Sequence, residues 1–153
     1  MKILYIIFAF ALTSCATSVN HSNGTLYRKY QEYKSAVELN DEVAVSKAVS
    51  KEYMEMLKEI DRKIPAELGF NIPLWKSLAS DIVIEYSHFE EIHGESGCLT
   101  LNGLDKRDSP SSLSLYYIKE NGNWVFNYFE SSAHDSIKDY YTKPTCPSTE
   151  FLE

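Results

Sequence analysis

The sequence has little positive charge for its length. Lys and Arg together number 15, against 22 Asp and Glu in 153 residues, so the formal net charge is −7. Proteins that bind the phosphate backbone of a nucleic acid do so by neutralising phosphates with Lys and Arg. We therefore expect no nucleic-acid partner.

Short motifs of catalysis and cofactor binding are also missing. Only six glycines are present, and none belongs to a phosphate-binding loop or a dinucleotide-binding fingerprint. The stretch Gly94–Gly97, G-E-S-G, has the wrong spacing for the nucleophile elbow of a hydrolase. The chain also lacks H-E-x-x-H, the helical zinc motif of metalloproteases. We predict a protein without a cofactor, without an identifiable catalytic residue and without enzymatic activity.

Long hydrophobic runs are confined to the first residues of the chain. Residues 3–12 are uncharged and apolar and follow a single lysine, which is the pattern of a secretory signal peptide. The run is too short to span a bilayer, for which a helix needs about 20 apolar residues. Two small polar residues then lead to Cys15.

The stretch Leu12–Cys15, L-T-S-C, resembles the lipobox of bacterial lipoproteins. The resemblance implies that residues 1–14 are removed, that Cys15 carries diacylglycerol and a further acyl chain such as palmitate, and that this lipid anchors the mature chain. Several acyl chains give durable attachment to a membrane. Ala16, where an Asp would favour the inner membrane, implies the outer membrane, facing the periplasm. An ordinary cleaved signal, or a short uncleaved anchor with a chance cysteine, is the alternative.

Cysteine is scarce as well, with three residues in the chain. If Cys15 carries lipid, Cys98 and Cys146 remain as an even pair in an oxidising compartment. We predict that these two are joined in a disulfide that fastens the C-terminal tail to the domain. Two unrelated thiols, one of them buried, are the alternative.

The polar stretch 15–24 is predicted to be a lipidated flexible tether, and residues 25–153 to be a single domain with a C-terminal strap. Apolar residues early in that domain recur at spacings of three and four, which indicates three amphipathic helices. Ser50 is placed to cap the third helix. Segment 65–78 is expected to form short turns that close one end of the core. The helical spacing is set by Leu26, Tyr30, Tyr33, Val37, Val45, Ala48, Val49, Tyr53, Leu57 and Ile60.

Beyond the helices the hydrophobic period changes from 3.6 to 2, which indicates strands. Two β-rich runs, 112–120 and 123–129, flank Asn121-Gly122, a dipeptide that accepts the positive φ angles of a type I′ hairpin turn. A short strand is expected around 98–104. The predicted fold class is α+β, with N-terminal helices followed by a curved antiparallel sheet of about four strands.

The hairpin sequence Leu115–Phe126 has a hydrophobic strand, a glycine turn and a tryptophan before the next strand. In this it resembles the nuclear transport factor 2-like, or cystatin-like cone, superfamily, over about residues 25–129. The resemblance implies a sheet wrapped around the first helix and a conical cavity, which members use for ligand binding, catalysis or protein contact. Because members of the superfamily have such different functions, the resemblance does not indicate a single one.

Candidates for a ligand or metal site lie close together in the sequence. His88 and Glu90 fall on one face of a strand, and a turn at Gly94 could bring His93 beside them as a third ligand. A polar strand end on a solvated surface is the simpler interpretation. Glu85 lies among apolar neighbours and is a candidate general base if its face lines a cavity, although alternation equally permits an outward position.

These observations predict a lipid-anchored periplasmic module that binds a protein or a small ligand. Its partners are the membrane, through the lipid, and a further protein of the envelope. One alternative is an immunity-type lipoprotein that neutralises a periplasmic toxin, because the acidic charge would steer a basic partner. A second is a small cone-fold enzyme that uses Glu85 or the pair His88 and His93, and a third is a passive structural component of the envelope.

Overall fold

Three helices precede a four-stranded antiparallel sheet. A computed structural model describes residues 24–63 and 82–147. The predicted α+β class, with the helices before the sheet, is confirmed. The signal peptide, Cys15 and segment 65–78 lie outside the described residues. The elements are α1 (Thr25–Glu38), α2 (Glu42–Ala48), α3 (Lys51–Lys63), β1 (Ile84–His93), β2 (Ser96–Leu104), β3 (Pro110–Glu120), β4 (Asn123–Ala133) and a 3₁₀ turn (Ile137–Asp139).

Helix α1 forms because its apolar residues share one face, as their spacing predicts. The Asp41 carboxylate accepts a hydrogen bond from the Ala44 amide at 3.0 Å and so begins α2. The Ser50 hydroxyl accepts from the Tyr53 amide at 3.1 Å, which confirms the predicted cap of α3. None of the helices in the two described ranges is long and apolar enough to cross a membrane. The buried residues of α1 are Leu26, Tyr30, Tyr33 and Ala36.

The sheet has the order β1-β2-β3-β4 and is open rather than closed into a barrel. Its predicted hairpin is confirmed, since Asn121 and Gly122 have φ angles of 51° and 79°, the positive values that a type I′ turn requires. Both hairpin strands are longer than predicted, because β3 begins at Pro110 and β4 ends at Ala133. Among the added residues, Ser111 pairs with Ala133, and Pro110 pairs with Leu104 of β2.

Replacement of Gly122 with Ala should lower the free energy of unfolding by about 1 kcal/mol, the cost of a side chain in the left-handed region. A Cβ at this position would meet nothing within 4 Å, so the cost is conformational only. Urea denaturation measures it. Gly122→Asn is the control, because Asn tolerates positive φ; equal losses for the two variants would contradict the assigned turn.

The core lies between the helices and one face of the sheet. Tyr33 and Tyr53 contact the ring of Phe126, with centroids 5.1 and 5.5 Å apart, so α1 and α3 are both tied to β4. The central strands supply the apolar floor of this core. Their buried contributors are Leu99, Leu101, Leu113, Leu115 and Tyr117.

The opposite face of the central strands is polar and is covered by the chain that follows β4. We use the word strap for residues 134–147. Cys146 of the strap forms a disulfide with Cys98 of β2, as the sequence predicts, with the two Cα atoms 5.2 Å apart. The strap therefore has one covalent attachment to the sheet.

Hydrogen bonds continue this attachment along β2. The Thr145 amide donates to the Thr100 hydroxyl at 2.8 Å, and the Asn102 side-chain amide donates to the Tyr141 carbonyl at 2.9 Å. Thr100 and Asn102 are fully buried. Polar side chains buried in this way are satisfied by the strap, so the strap completes the sheet rather than lying loosely on it.

Candidate functional site

A groove opens between the helices and the tip of the β3–β4 hairpin. Its volume is about 620 Å³. The floor consists of buried and half-buried apolar side chains that also pack against the core. A concave surface of this size is in the range of small-molecule sites. The floor residues are Ala44, Ala48, Val49, Met54 and Trp124.

One wall of the groove is fixed by the junction between α2 and α3. Val49 pairs with Phe126 in a single parallel bridge at the edge of β4. The Ser50 amide donates to the Phe126 carbonyl at 2.8 Å, and the Ser50 hydroxyl donates to Oδ1 of Asn127. Asn127 is the extra residue of a β-bulge in β4, which frees its side chain for this contact. The groove is therefore built on hydrogen-bonded elements.

Trp124 supplies the largest apolar surface of the floor. Its ring is half-buried and packs against the core. Lys119 lies opposite it in the register of the hairpin, with Nζ 5.0 Å from the ring centroid, which is a cation–π contact. The indole therefore contacts both Lys119 and the core, and it forms part of the groove lining.

Charged side chains form the rim of the groove: four lysines and three glutamates. Nζ of Lys29 lies 2.6 Å from the carboxylate of Glu32, and Nζ of Lys58 lies 3.0 Å from that of Glu55. The hydrogen bond from Lys58 lowers the pKa of Glu55 below its usual value. Glu55 is therefore ionised at neutral pH, and both glutamates pair with rim lysines.

Two of the sequence-predicted candidates meet at the other edge of the sheet. One carboxylate oxygen of Glu85 lies 2.8 Å from Nδ1 of His88, and the other accepts from the Tyr27 hydroxyl at 3.0 Å. The Tyr27 and His88 rings are stacked, with centroids 3.7 Å apart. Burial first, and then the hydrogen bond to Glu85, raises the pKa of Tyr27 above its usual value.

A β-bulge brings these residues together. Glu85 and Ser87 pair with consecutive residues of β2, so Tyr86 is an extra residue in β1. In a regular strand, side chains three positions apart point to opposite faces. The bulge moves Glu85 onto the face of His88, which is the face that meets α1.

This cluster supports a structural role better than a catalytic one. A histidine oriented by a carboxylate is part of many catalytic sites. However, the His88 side chain is only 7% exposed, and its ring is covered by that of Tyr27. The contacts therefore hold β1 against α1 and leave little room for a substrate beside the imidazole.

The side chains of Glu90 and His93 make different contacts. Glu90 accepts hydrogen bonds from the first three backbone amides of α1 at 2.9 to 3.1 Å, whereas His93 is exposed and pairs with Glu91. The expected convergence of His93 on His88 and Glu90 is wrong, because alternation places His93 on the opposite face of β1. Among the residues that the structure describes, no three His, Cys, Asp or Glu side chains are grouped to hold a metal ion.

Sequence reasoning misses a buried polar network under the strap. The Ser112 hydroxyl donates to Oδ1 of Asn102 at 2.6 Å and lies 2.7 Å from Nε2 of His134. Since the hydroxyl has one proton, Nε2 of His134 must donate to it and cannot act as its base. The alternation of small polar residues with leucine in β2 and β3 is the signal that could have indicated this network.

Comparison of the sequence with known protein families finds no matching family, and comparison with curated proteins finds no match either. The fold and the site therefore define the class of protein. It is an α+β domain with an open antiparallel sheet, a strap across one face of that sheet and a groove at the hairpin tip.

Proposed function

We propose that this chain is a lipid-anchored protein of the bacterial envelope whose folded domain binds a small ligand in the groove at the hairpin tip. The observation that carries the proposal is the groove itself, about 620 Å³ in volume with Trp124 in its floor. Ligand sites of proteins usually have volumes of about 300–1,000 Å³, and this groove combines an apolar floor with a charged rim.

The construction of the groove supports this function. Binding costs less free energy when the site is formed before the ligand arrives. Here the wall is held by the Ser50 amide on the Phe126 carbonyl, and Trp124 is held by Lys119 and the core. A ligand would find these side chains already in place.

The N-terminal sequence supports the proposed attachment to a membrane. The lipobox at Leu12–Cys15 resembles that of exported lipoproteins, and the polar stretch 15–24 would connect the lipid to α1. Helix α1 begins at Thr25, directly after this stretch. The cone-fold resemblance implies a ligand cavity as well, and membership of that superfamily stays a prediction.

The Ser46→Trp variant is expected to lower binding by at least about tenfold, which is 1.4 kcal/mol. Ser46 is exposed and lines the groove, so a tryptophan there fills the space without entering the core. Native mass spectrometry of the protein purified gently from membranes measures the ligand-bound fraction. The wild type should carry a bound small molecule that the variant lacks.

The matched control is Val43→Trp, which places the same side chain on an exposed position of α2 outside the groove lining. This variant should bind as the wild type does. If the Ser46→Trp variant carries the same bound fraction as Val43→Trp and the wild type, the groove is not the binding site.

A further inference from the structure

The charge of the groove differs from that of the chain. The whole sequence carries a formal net charge of −7, yet the groove rim has four lysines against three glutamates. A locally positive concave surface on an acidic protein favours an anion at that surface over the rest of the molecule.

The negative charges of the rim are largely engaged by near neighbours. Glu32 and Glu55 each lie in an ion pair with a rim lysine. The Glu120 carboxylate accepts from the backbone amide of Lys51 at 3.4 Å, where it faces the positive end of the α3 dipole. Lys51 also acts on Glu55 electrostatically, but the ion-pair partner of Glu55 is Lys58.

Lys47 and Lys51 carry those remaining ammonium groups. Both residues are exposed, and neither forms an ion pair with a carboxylate of the described ranges. They stand on either side of the α2–α3 junction, which the Ser50 amide fixes to β4. Two lysines that flank this junction therefore line the same groove as the apolar floor.

We propose that the groove binds an anionic amphiphile, a small molecule with an apolar body and a negatively charged head. The body lies on Trp124 and Met54, and the head lies between the ammonium groups of Lys47 and Lys51. This inference rests on the proposed function and adds the chemical class of the ligand. A cationic amphiphile of equal length would gain the same apolar contacts but meet like charges at the head.

Decanoate is the probe, and decyltrimethylammonium is the matched cation. In a Trp75→Phe background, Trp124 is the only tryptophan, so its fluorescence reports binding in the groove directly. Decanoate should give a saturable change below its micellar concentration, and the cation should bind at least about fivefold more weakly. Native mass spectrometry of the wild type with each probe gives the same comparison without replacing a tryptophan.

The double variant Lys47→Gln and Lys51→Gln should raise the Kd for decanoate about five- to twentyfold, the range expected for two exposed ion pairs. Lys106→Gln with Lys138→Gln is the control, since both lysines are exposed and lie outside the groove lining. It removes the same charge from the protein and should leave the Kd within about twofold.

The outcomes separate this inference from the proposed function. Equal binding of the cation and of decanoate, no binding of decanoate, or an unchanged Kd in the Lys47 and Lys51 variant overturns the anionic class while the groove stays the proposed ligand site. Decanoate binding that Ser46→Trp leaves unchanged places the amphiphile outside the groove and overturns this inference, whereas the proposed function is overturned only when Ser46→Trp retains the molecule bound to the protein from membranes. Decanoate binding that is lost in Ser46→Trp and weakened by removing the two lysines supports both.

Discussion

Removing the disulfide between Cys98 and Cys146 is expected to lower the free energy of unfolding by up to about 4 kcal/mol. The two cysteines are 48 residues apart in the chain, and closing a loop of that length restricts the unfolded state by this amount in the chain-entropy relation. The variant is Cys98→Ala with Cys146→Ser, because the first thiol position is buried and the second is exposed. Urea denaturation gives the value.

The helices and the helix-facing core should survive this change. The strap lies on the face of the sheet opposite the helices, and the core cluster contains no residue of the strap. Far-ultraviolet circular dichroism of the variant should therefore match that of the wild type in water. Wild type treated with a reductant is the control and should lose the same stability. A loss below about 1 kcal/mol in both would contradict a stabilising disulfide.

Replacing Glu90 with Ala should lower the free energy of unfolding by about 2 to 3 kcal/mol. Helix α1 begins after Gly24, which has no side chain to cap the helix. Glu90 of β1 replaces the missing cap by accepting from three amides that would otherwise lack partners. Its negative charge also stabilises the positive end of the helix.

The neighbouring residue offers a matched control for Glu90. Glu91 carries the same charge but is exposed on the opposite face of β1, where its carboxylate pairs with the exposed His93. Glu91→Ala should cost less than about 1 kcal/mol. Similar losses in the two variants, measured by urea denaturation, would show that the carboxylate does not cap α1.

Gly24 explains why the carboxylate can approach so closely. A Cβ at this position would lie 2.0 Å from Oε2 of Glu90, so any larger residue would displace the capping group. The glycine is needed here for space, since its φ angle of −60° is open to all residues.

Local patterns in the sequence were sufficient to predict the elements of this fold. The spacing of Leu26, Tyr30 and Tyr33 predicts α1 and its buried face, because helical periodicity depends only on neighbours along the chain. Asn121-Gly122 predicts the hairpin for the same reason, since the required φ angles restrict the residue types. The pairing of Cys98 with Cys146 was predicted on the premise that Cys15 carries lipid, which leaves two cysteines, and the structure confirms the pair.

The candidate site depends on contacts between distant segments and was not predictable in this way. The bulge at Tyr86 changes the face of the sheet on which the Glu85 side chain lies. No local residue preference in the sequence indicates this bulge. Glu90 meets amides more than 60 residues earlier in the chain. The groove exists only because the junction at Ser50 is bonded to β4. Each of these facts requires the tertiary structure.

The central claim is that a lipid-anchored domain holds a small ligand in the groove, and one native mass spectrum of the protein from membranes tests it most directly. We predict a chain that begins at Cys15 and carries covalent lipid, together with one non-covalently bound small molecule of anionic type that Ser46→Trp removes. A lipid-free chain would contradict the anchor. A lipidated chain without any bound molecule, or with one that Ser46→Trp retains, would contradict the groove as its binding site.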